Sequence, residues 1–259
     1  FSWIGARTQP HVIARIPAAG TPASRILLSA HFDTKTDLFD HVQRAPVDLL
    51  ALPITLLFLG GAVAAWRAPR ARRHARLLRG AARAATVAAP VYGIASFLVF
   101  SAGAFVPARS PGALDDGAAC AVLVRVAEAL AKDPLARTEV EVVLLSGEEI
   151  GVQGSWAWAR ERFAAPPDLP TFAVTLDPFG VSADLRFVAS ENFVTRRFAP
   201  DERLLRRLSE LHEAERGKPL VPTITGGATD ARSYLAHGIP AVTLSTDSPG
   251  SVFVRGLHS

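Results

Sequence analysis

One cysteine, Cys120, is all the thiol this 259-residue chain contains. A single thiol excludes any intrachain disulfide, and it excludes a structural zinc held by several thiolates. Cys120 itself falls in an Ala/Val-rich helical run, where a small buried hydrophobe is expected rather than a reactive group. No internal repeat and no low-complexity linker divides the sequence, so one substantial catalytic-sized core is the default for this length. Methionine is missing from position 1. The chain opens on Phe1 and stops one residue after His258, as a fragment or processed product does, and a signal peptide or further membrane spans are compatible with that start.

Acidic residues are absent from the stretch Arg67 to Arg83, which holds seven arginines: 67, 70, 72, 73, 76, 79 and 83. Those seven exceed the net charge of +4, so the rest of the chain is net acidic and the basic balance is local. A nucleic-acid surface is not expected there, because the arginines lack interleaved aromatics and are bracketed by apolar runs. Charge is missing altogether from Leu49 to Trp66, 18 residues, and from Ala84 to Val106, 23 residues. Both runs reach the length needed to cross a hydrocarbon core of roughly 30 Å. Residues 45–106 are therefore expected to form a transmembrane helical hairpin in contact with membrane lipid. A pair of buried core helices is the alternative, but it gives no reason for arginines to gather in the connection. Short loops rich in Lys and Arg stay cytoplasmic, which puts the flanking segments on the other side, as an extracytoplasmic domain of an integral membrane protein. Neither run carries an ionisable residue in its interior, which argues against a transporter subunit.

Outside that hairpin, strand-like and helix-like patterns alternate, as in α/β architecture. His11–Ile16, Arg25–Ala30, Glu139–Leu145, Phe172–Leu176 and Ala241–Leu244 read as strands; Asp116–Lys132, a segment with Trp156 and Trp158, and Glu202–Arg216 read as helices. Polar groups follow the strand-like runs: His31 and Asp33 in ILLSAHFDT, Glu148 and Glu149 in VVLLSGEEIG, and Asp177 in FAVTLDPFG, with Asp115 in GALDDGAA and His258 in GLHS. The carboxyl ends of strands are where an open α/β sheet assembles its site, so residues distant in sequence meet there. Imidazole and carboxylate without thiolate suit Zn²⁺ or a similar first-row ion.

Each signal alone has a plainer reading. His31 and Asp33 share one face of an extended segment, so Asp33 can orient a metal-bound imidazole; an ordinary satisfied histidine fits equally well. Asp115-Asp116 precedes a helix, where one carboxylate suffices as a cap and the other is free to bridge metals. Glu148-Glu149 has no basic residue following it before Arg160, which favours one glutamate as ligand and its neighbour as proton acceptor over surface salt bridging. Asp177 closes an apolar strand, where a carboxylate needs a partner.

In combination, HFD, GALDDGAA, SGEEIGVQGS, TLDPFG and the late LHS resemble the co-catalytic dizinc aminopeptidases related to aminopeptidase Y and glutamate carboxypeptidase II. The resemblance covers essentially everything except residues 45–106. It implies a three-layer α/β/α sandwich around a mixed, mostly parallel sheet, formed by residues 1–44 and 107–259, and two zinc ions per chain. It also implies roles: His31 and Asp177 on one zinc, Glu149 and His258 on the other, Asp115 bridging, Asp33 orienting His31, and Glu148 as general base in an aminopeptidase acting on peptides. Asp230, in GATDARSYLAHGIPAV, matches an acidic position near the family's substrate pocket. Asp116, Ala118 and Ala119 depart from the family's usual Asn and its Ser, Thr and Gly. HFDTK and DDGAACAVL also resemble glutaminyl cyclases, which use a single zinc and cyclise N-terminal glutamine. The family further includes a membrane receptor without zinc ligands, a reading that retention of all five ligands and Glu148 argues against. Oligomeric state is left open.

Overall fold

The protein is described by a computed structural model that covers residues 10–35, 39, 41–70, 74–101, 110–193, 196–224 and 227–246. The chain divides into two compact units, one holding Phe1–Lys35 and Pro111–Val252, the other Thr36–Ser110 with Phe253–Ser259.

In the first unit a seven-stranded sheet has the order β1 (Val12–Ile16), β3 (Thr138–Leu145), β2 (Ser24–His31), β4 (Thr171–Leu176), β9 (Ala241–Ser245), β5 (Arg186–Val188), β8 (Val221–Thr223). The central strands β3, β2, β4 and β9 are parallel, whereas β1 and β5 pair antiparallel with β3 and β9. The sheet is thus mixed and mostly parallel. A small β6–β7 ribbon, Glu191–Phe193 with Arg196–Phe198, lies outside it. Pro222 sits in edge strand β8, where a missing N–H costs no ladder bond on the open side.

Alternation along the central strands sorts side chains to two faces. Val140, Val142, Val174, Leu176, Val242 and Leu244 form one core with α3 (Ala118–Lys132) and α5 (Glu202–Arg216). Leu27, Val143, Leu145, Ala173 and Ala241 form the other with α4 (Gln153–Arg162) and α6 (Ala231–Ala236). Because both faces are covered, the strands read as near-continuous apolar runs, as parallel strands do. Helices on both sides of the sheet make the expected α/β/α layers. Helix α5 shows the local rules plainly: Asp201 accepts from Leu204 N at its start, and Gly217, at φ 72°, ends it in the left-handed conformation.

The second unit is a helical pair, α1 (His41–Arg67) and α2 (Ala75–Ser101), each long and apolar enough to cross a membrane. Their large apolar side chains are exposed, Leu49, Leu52, Val87 and Phe97 among them. Gly61 lets the helices touch, since a Cβ there would lie 2.3 Å from Ala85 Cβ. The Tyr92 hydroxyl donates to the Val47 carbonyl at 2.8 Å. Helix α2 begins at Ala75, earlier than the uncharged run, and takes in Arg76, Arg79 and Arg83. Ala, Leu and Arg are all strong helix formers, so the arginine-rich stretch is largely helix rather than loop. In the first unit, the two points where the chain leaves and returns are adjacent: a Cβ at Gly112 would lie 2.9 Å from Thr34 Cβ.

Candidate metal centre

Strand β2 lies between β3 and β4, and all three run parallel, so their carboxyl ends open side by side. The connections leaving them pass to opposite faces, α3 on one and α4 on the other, which creates a crevice at the end of β2. His31 is the last residue of β2 and Asp177 follows β4 directly. Glu148 and Glu149 stand in the turn between β3 and α4, and Asp115 and Asp116 in an irregular turn, Ala113–Gly117, that enters α3. That turn is tied to the crevice by Phe179 N, which donates to Leu114 O at 3.1 Å. The Asp115–Asp116 and Asp177–Pro178 peptide bonds are cis.

The glutamate turn is fixed by close backbone packing. Gly154, in the first turn of α4, lies so near the exit of β3 that a Cβ would fall 1.5 Å from Ser146 O. Its N–H donates to Gly147 O, and Gly147 itself has φ 79°. The spaced glycines of SGEEIGVQGS thus permit this tight return.

Three buried donors converge: His31, Asp115 and Asp177 each place a ligand atom within 4.8 Å of the other two. His31 Nε2 and Asp115 Oδ1 face each other at 2.8 Å, without the alignment of a hydrogen bond. Glu148 Oε2 stands 4.0 Å from the same nitrogen. The other ring nitrogen, Nδ1, is 2.9 Å from the Asp33 main-chain oxygen and 3.7 Å from its carboxylate. The Asp33 carboxylate is occupied elsewhere: Oδ1 accepts from Glu148 N and Oδ2 from Glu149 N, both at 3.2 Å. Asp33 thus links the histidine, through its carbonyl, to both glutamates, through its side chain. Asp116 turns inward, its Oδ2 3.4 Å from His31 N. The Cys120 thiol donates to the His31 carbonyl at 3.1 Å, and burial pushes it up to about 11, which keeps it a thiol as its sequence context implies.

Electrostatics supply the test of whether a cation fits. Burial, aided by Asp115, holds the Asp177 carboxyl well above its ordinary range. Burial likewise pushes Glu148 up to about 8, with Asp230, Asp115 and Glu149 adding repulsion, and Asp116 up to about 9. Burial opposes an imidazolium at His31, yet Asp115 and Asp33 outweigh it and raise its pKa well above the usual value. Asp33 is the exception: burial is outweighed by His31 and the two backbone N–H groups, and its carboxyl is lowered. Carboxylates crowded around one imidazole repel unless a cation sits among them. A divalent ion at His31, Asp115 and Asp177 offsets that repulsion, and a mixed imidazole and carboxylate donor set is one that zinc accepts.

Glu149 is placed differently from that trio. Its Oε2 accepts from Lys35 Nζ at 2.6 Å and its Oε1 from Lys35 N at 3.3 Å. His258 lies outside the described residues. Sequence reasoning missed Lys35 because the search for a cation looked along the chain after Glu149, whereas the partner comes from the exit of β2. It also missed Glu191, buried with its carboxylate accepting from Thr229 N and from the Thr229 and Thr243 hydroxyls, each at 2.8 Å. Nothing in a three-residue strand signals such a network. Asp230 is fully buried at the head of α6, and burial pushes its carboxyl up to about 6.

Residues 97–253 match peptidase family M28. The chain belongs to this family. Solved structures of similar fold include a zinc aminopeptidase, BSAP, from Bacillus subtilis, at TM-score 0.52 and 14% identity over 95% of this chain and 42% of that one. The Legionella pneumophila LapA aminopeptidase gives TM-score 0.52 and 14% identity, covering 96% of this chain and 51% of that chain. An aminopeptidase from Aneurinibacillus sp. strain AM-1 gives 0.53 and 16%, covering 96% and 42%. At such identities the likeness is one of fold, and this M28 chain spans about half the length of those proteins or somewhat less. A search of the curated proteins found no match.

Proposed function

We propose that this M28 chain is a zinc-dependent exopeptidase that removes N-terminal residues from peptides. The observation that carries the reading is the buried convergence of His31 and Asp177, at the ends of adjacent parallel strands, with Asp115, from the turn that enters α3, and with the Glu148 carboxylate beside them. His31, Asp115 and Asp177 would hold one zinc, and Asp115, Glu149 and His258 a second. Bound zinc supplies Lewis-acid polarisation of the scissile carbonyl and eases ionisation of water at neutral pH.

The chain's own residues supply the remaining work. Glu148 accepts a proton from the attacking water and returns it to the leaving amine, a role suited to a carboxylate that stands beside the ligand trio. Asp33 fixes the Glu148 backbone and braces the His31 ring, so the proton acceptor and the ligand keep one spacing. Products are a free amino acid and a shortened peptide.

The helical pair is proposed as a membrane hairpin, with the segment around Arg67 to Arg83 cytoplasmic and the peptidase unit on the opposite side. Its length, its exposed apolar side chains and its unopposed arginines support this. Adjacency of Thr34 and Gly112 suits an excursion of this kind, since an inserted segment needs neighbouring exits.

The test is to measure zinc content together with hydrolysis of amino-acid anilides by the purified, metal-replete chain. Release of the aniline that stops on chelation and returns with zinc is expected. Cyclisation of N-terminal glutamine with one zinc per chain, or no zinc and no turnover, would overturn the exopeptidase reading in favour of the cyclase or the receptor.

A further inference from the structure

The Glu149 carboxylate already holds a cation. Lys35 reaches it twice, through Nζ at 2.6 Å and through the backbone N–H at 3.3 Å. The glutamate side chain is 5% exposed and that of Lys35 38%, so the carboxylate belongs to the wall of the crevice and the lysine enters from the solvent side. His31, Asp33 and Lys35 follow one another at alternate positions where the chain leaves β2. One short segment therefore carries a ligand, the residue that braces it, and an ammonium aimed at the neighbouring glutamate.

We propose that the two zinc positions differ in kind: the one at His31, Asp115 and Asp177 binds tightly, whereas Lys35 is a built-in competitor for the one at Glu149. The second ion enters only when the Lys35 ammonium swings off the carboxylate. This rests on the zinc-peptidase reading above and deepens it into an order of metal loading. The physical basis is that the Lys35 ammonium, 2.6 Å from Oε2, repels a second cation arriving at the same carboxylate. An ion arriving at Glu149 gains its own attraction less that of the pair it breaks. Lysine suits the role because its charge is compact and its stem flexible, so it leaves without disturbing the backbone. Its partial exposure keeps the competition moderate, since water solvates the released ammonium.

Zinc binding to the full chain in detergent, titrated against a chromophoric chelator, reads this directly. Wild type is expected to take one zinc tightly and a second more weakly. Lys35→Met keeps the stem and removes the charge, and should tighten the second step by about tenfold, which is roughly 1.4 kcal/mol, while leaving the first unchanged. Lys35→Arg keeps a charge and should stay close to wild type in its second step. Lys35→Gln is measured alongside as a second neutral variant, and the unchanged first step reports that each variant is folded. A second step of equal affinity in wild type and both neutral variants, or one zinc per chain in all of them, overturns the proposal while leaving a zinc site at His31, Asp115 and Asp177. Failure of every protein, wild type included, to bind zinc overturns the peptidase reading and this proposal together.

Discussion

Gly154→Ala adds one methyl group and should disable the site without touching any of its polar residues. The new Cβ would stand 1.5 Å from Ser146 O and 2.7 Å from Ser146 C, against 3.4–4 Å for ordinary contact. Both are backbone atoms, so no side-chain rotation relieves the overlap. The first turn of α4 and the exit of β3 must separate by nearly 2 Å, on the arithmetic of those distances. Separation breaks the Gly154 N to Gly147 O bond and drags the turn whose N–H groups meet Asp33. Overpacking of this kind costs about 3 kcal/mol at the upper end of its usual range. A displacement of about 1 Å at the general base lowers turnover by about 10²-fold. Thermal unfolding of the chain in detergent and anilide hydrolysis measure the two effects. Gly217→Ala is the control: it sits at φ 72° with nothing within 4 Å of an added Cβ. It should cost only about 1 kcal/mol, the penalty of a left-handed cap, with turnover intact. A Gly154→Ala protein as stable and active as wild type would refute the packing argument for how the glutamates are positioned.

Glu148→Gln keeps the shape of the proton acceptor and should lower kcat by about 10² to 10⁴-fold, with zinc content near normal; loss of zinc here but not in Glu149→Gln would reverse the roles within the pair. Asp33→Asn leaves one amide oxygen as acceptor and turns an NH₂ donor toward the other backbone N–H of the Glu148 and Glu149 pair, and should weaken both turnover and the first zinc step; unchanged values for both would remove Asp33 from the positioning role. A cysteine introduced between α1 and α2 in the Cys120→Ala protein should resist a membrane-impermeant thiol reagent in intact cells and react after lysis. Labelling in intact cells would overturn the proposed orientation, and a full chain soluble without detergent would overturn the spans.

Long periodic elements were legible in the chain, and short ones were not. Strands β2, β3 and β4 carry apolar runs bounded by polar residues and turn signals, and helix α5 has an Asp201 start and a Gly217 stop, so all four emerge within a residue or so of their expected bounds. Strands β5 to β8 span three residues each and α6 six, too few to establish a period, and they owe their conformation to neighbours such as β9. At the site, His31 and Asp177 leave adjacent strand ends and meet Asp115, which comes from the turn before α3. What periodicity cannot convey is which side chain a loop delivers across the crevice. Lys35 on Glu149, Asp33 on two backbone N–H groups, and the Glu191 network with Thr229 and Thr243 are all tertiary pairings between distant segments. The start of α2 at Ala75 illustrates a different failure: charge marks a polar segment, yet arginine favours helix as strongly as it favours water.

Zinc K-edge absorption on the purified, zinc-replete chain reports on the metal at His31, Asp115 and Asp177 without recourse to activity. A first shell of nitrogen and oxygen at about 2.0 to 2.2 Å with imidazole scattering is expected, lost or reduced in stoichiometry in Asp177→Asn. A sulfur shell at about 2.3 Å, or a zinc environment indifferent to His31, Asp115 and Asp177 substitutions, would contradict that expectation.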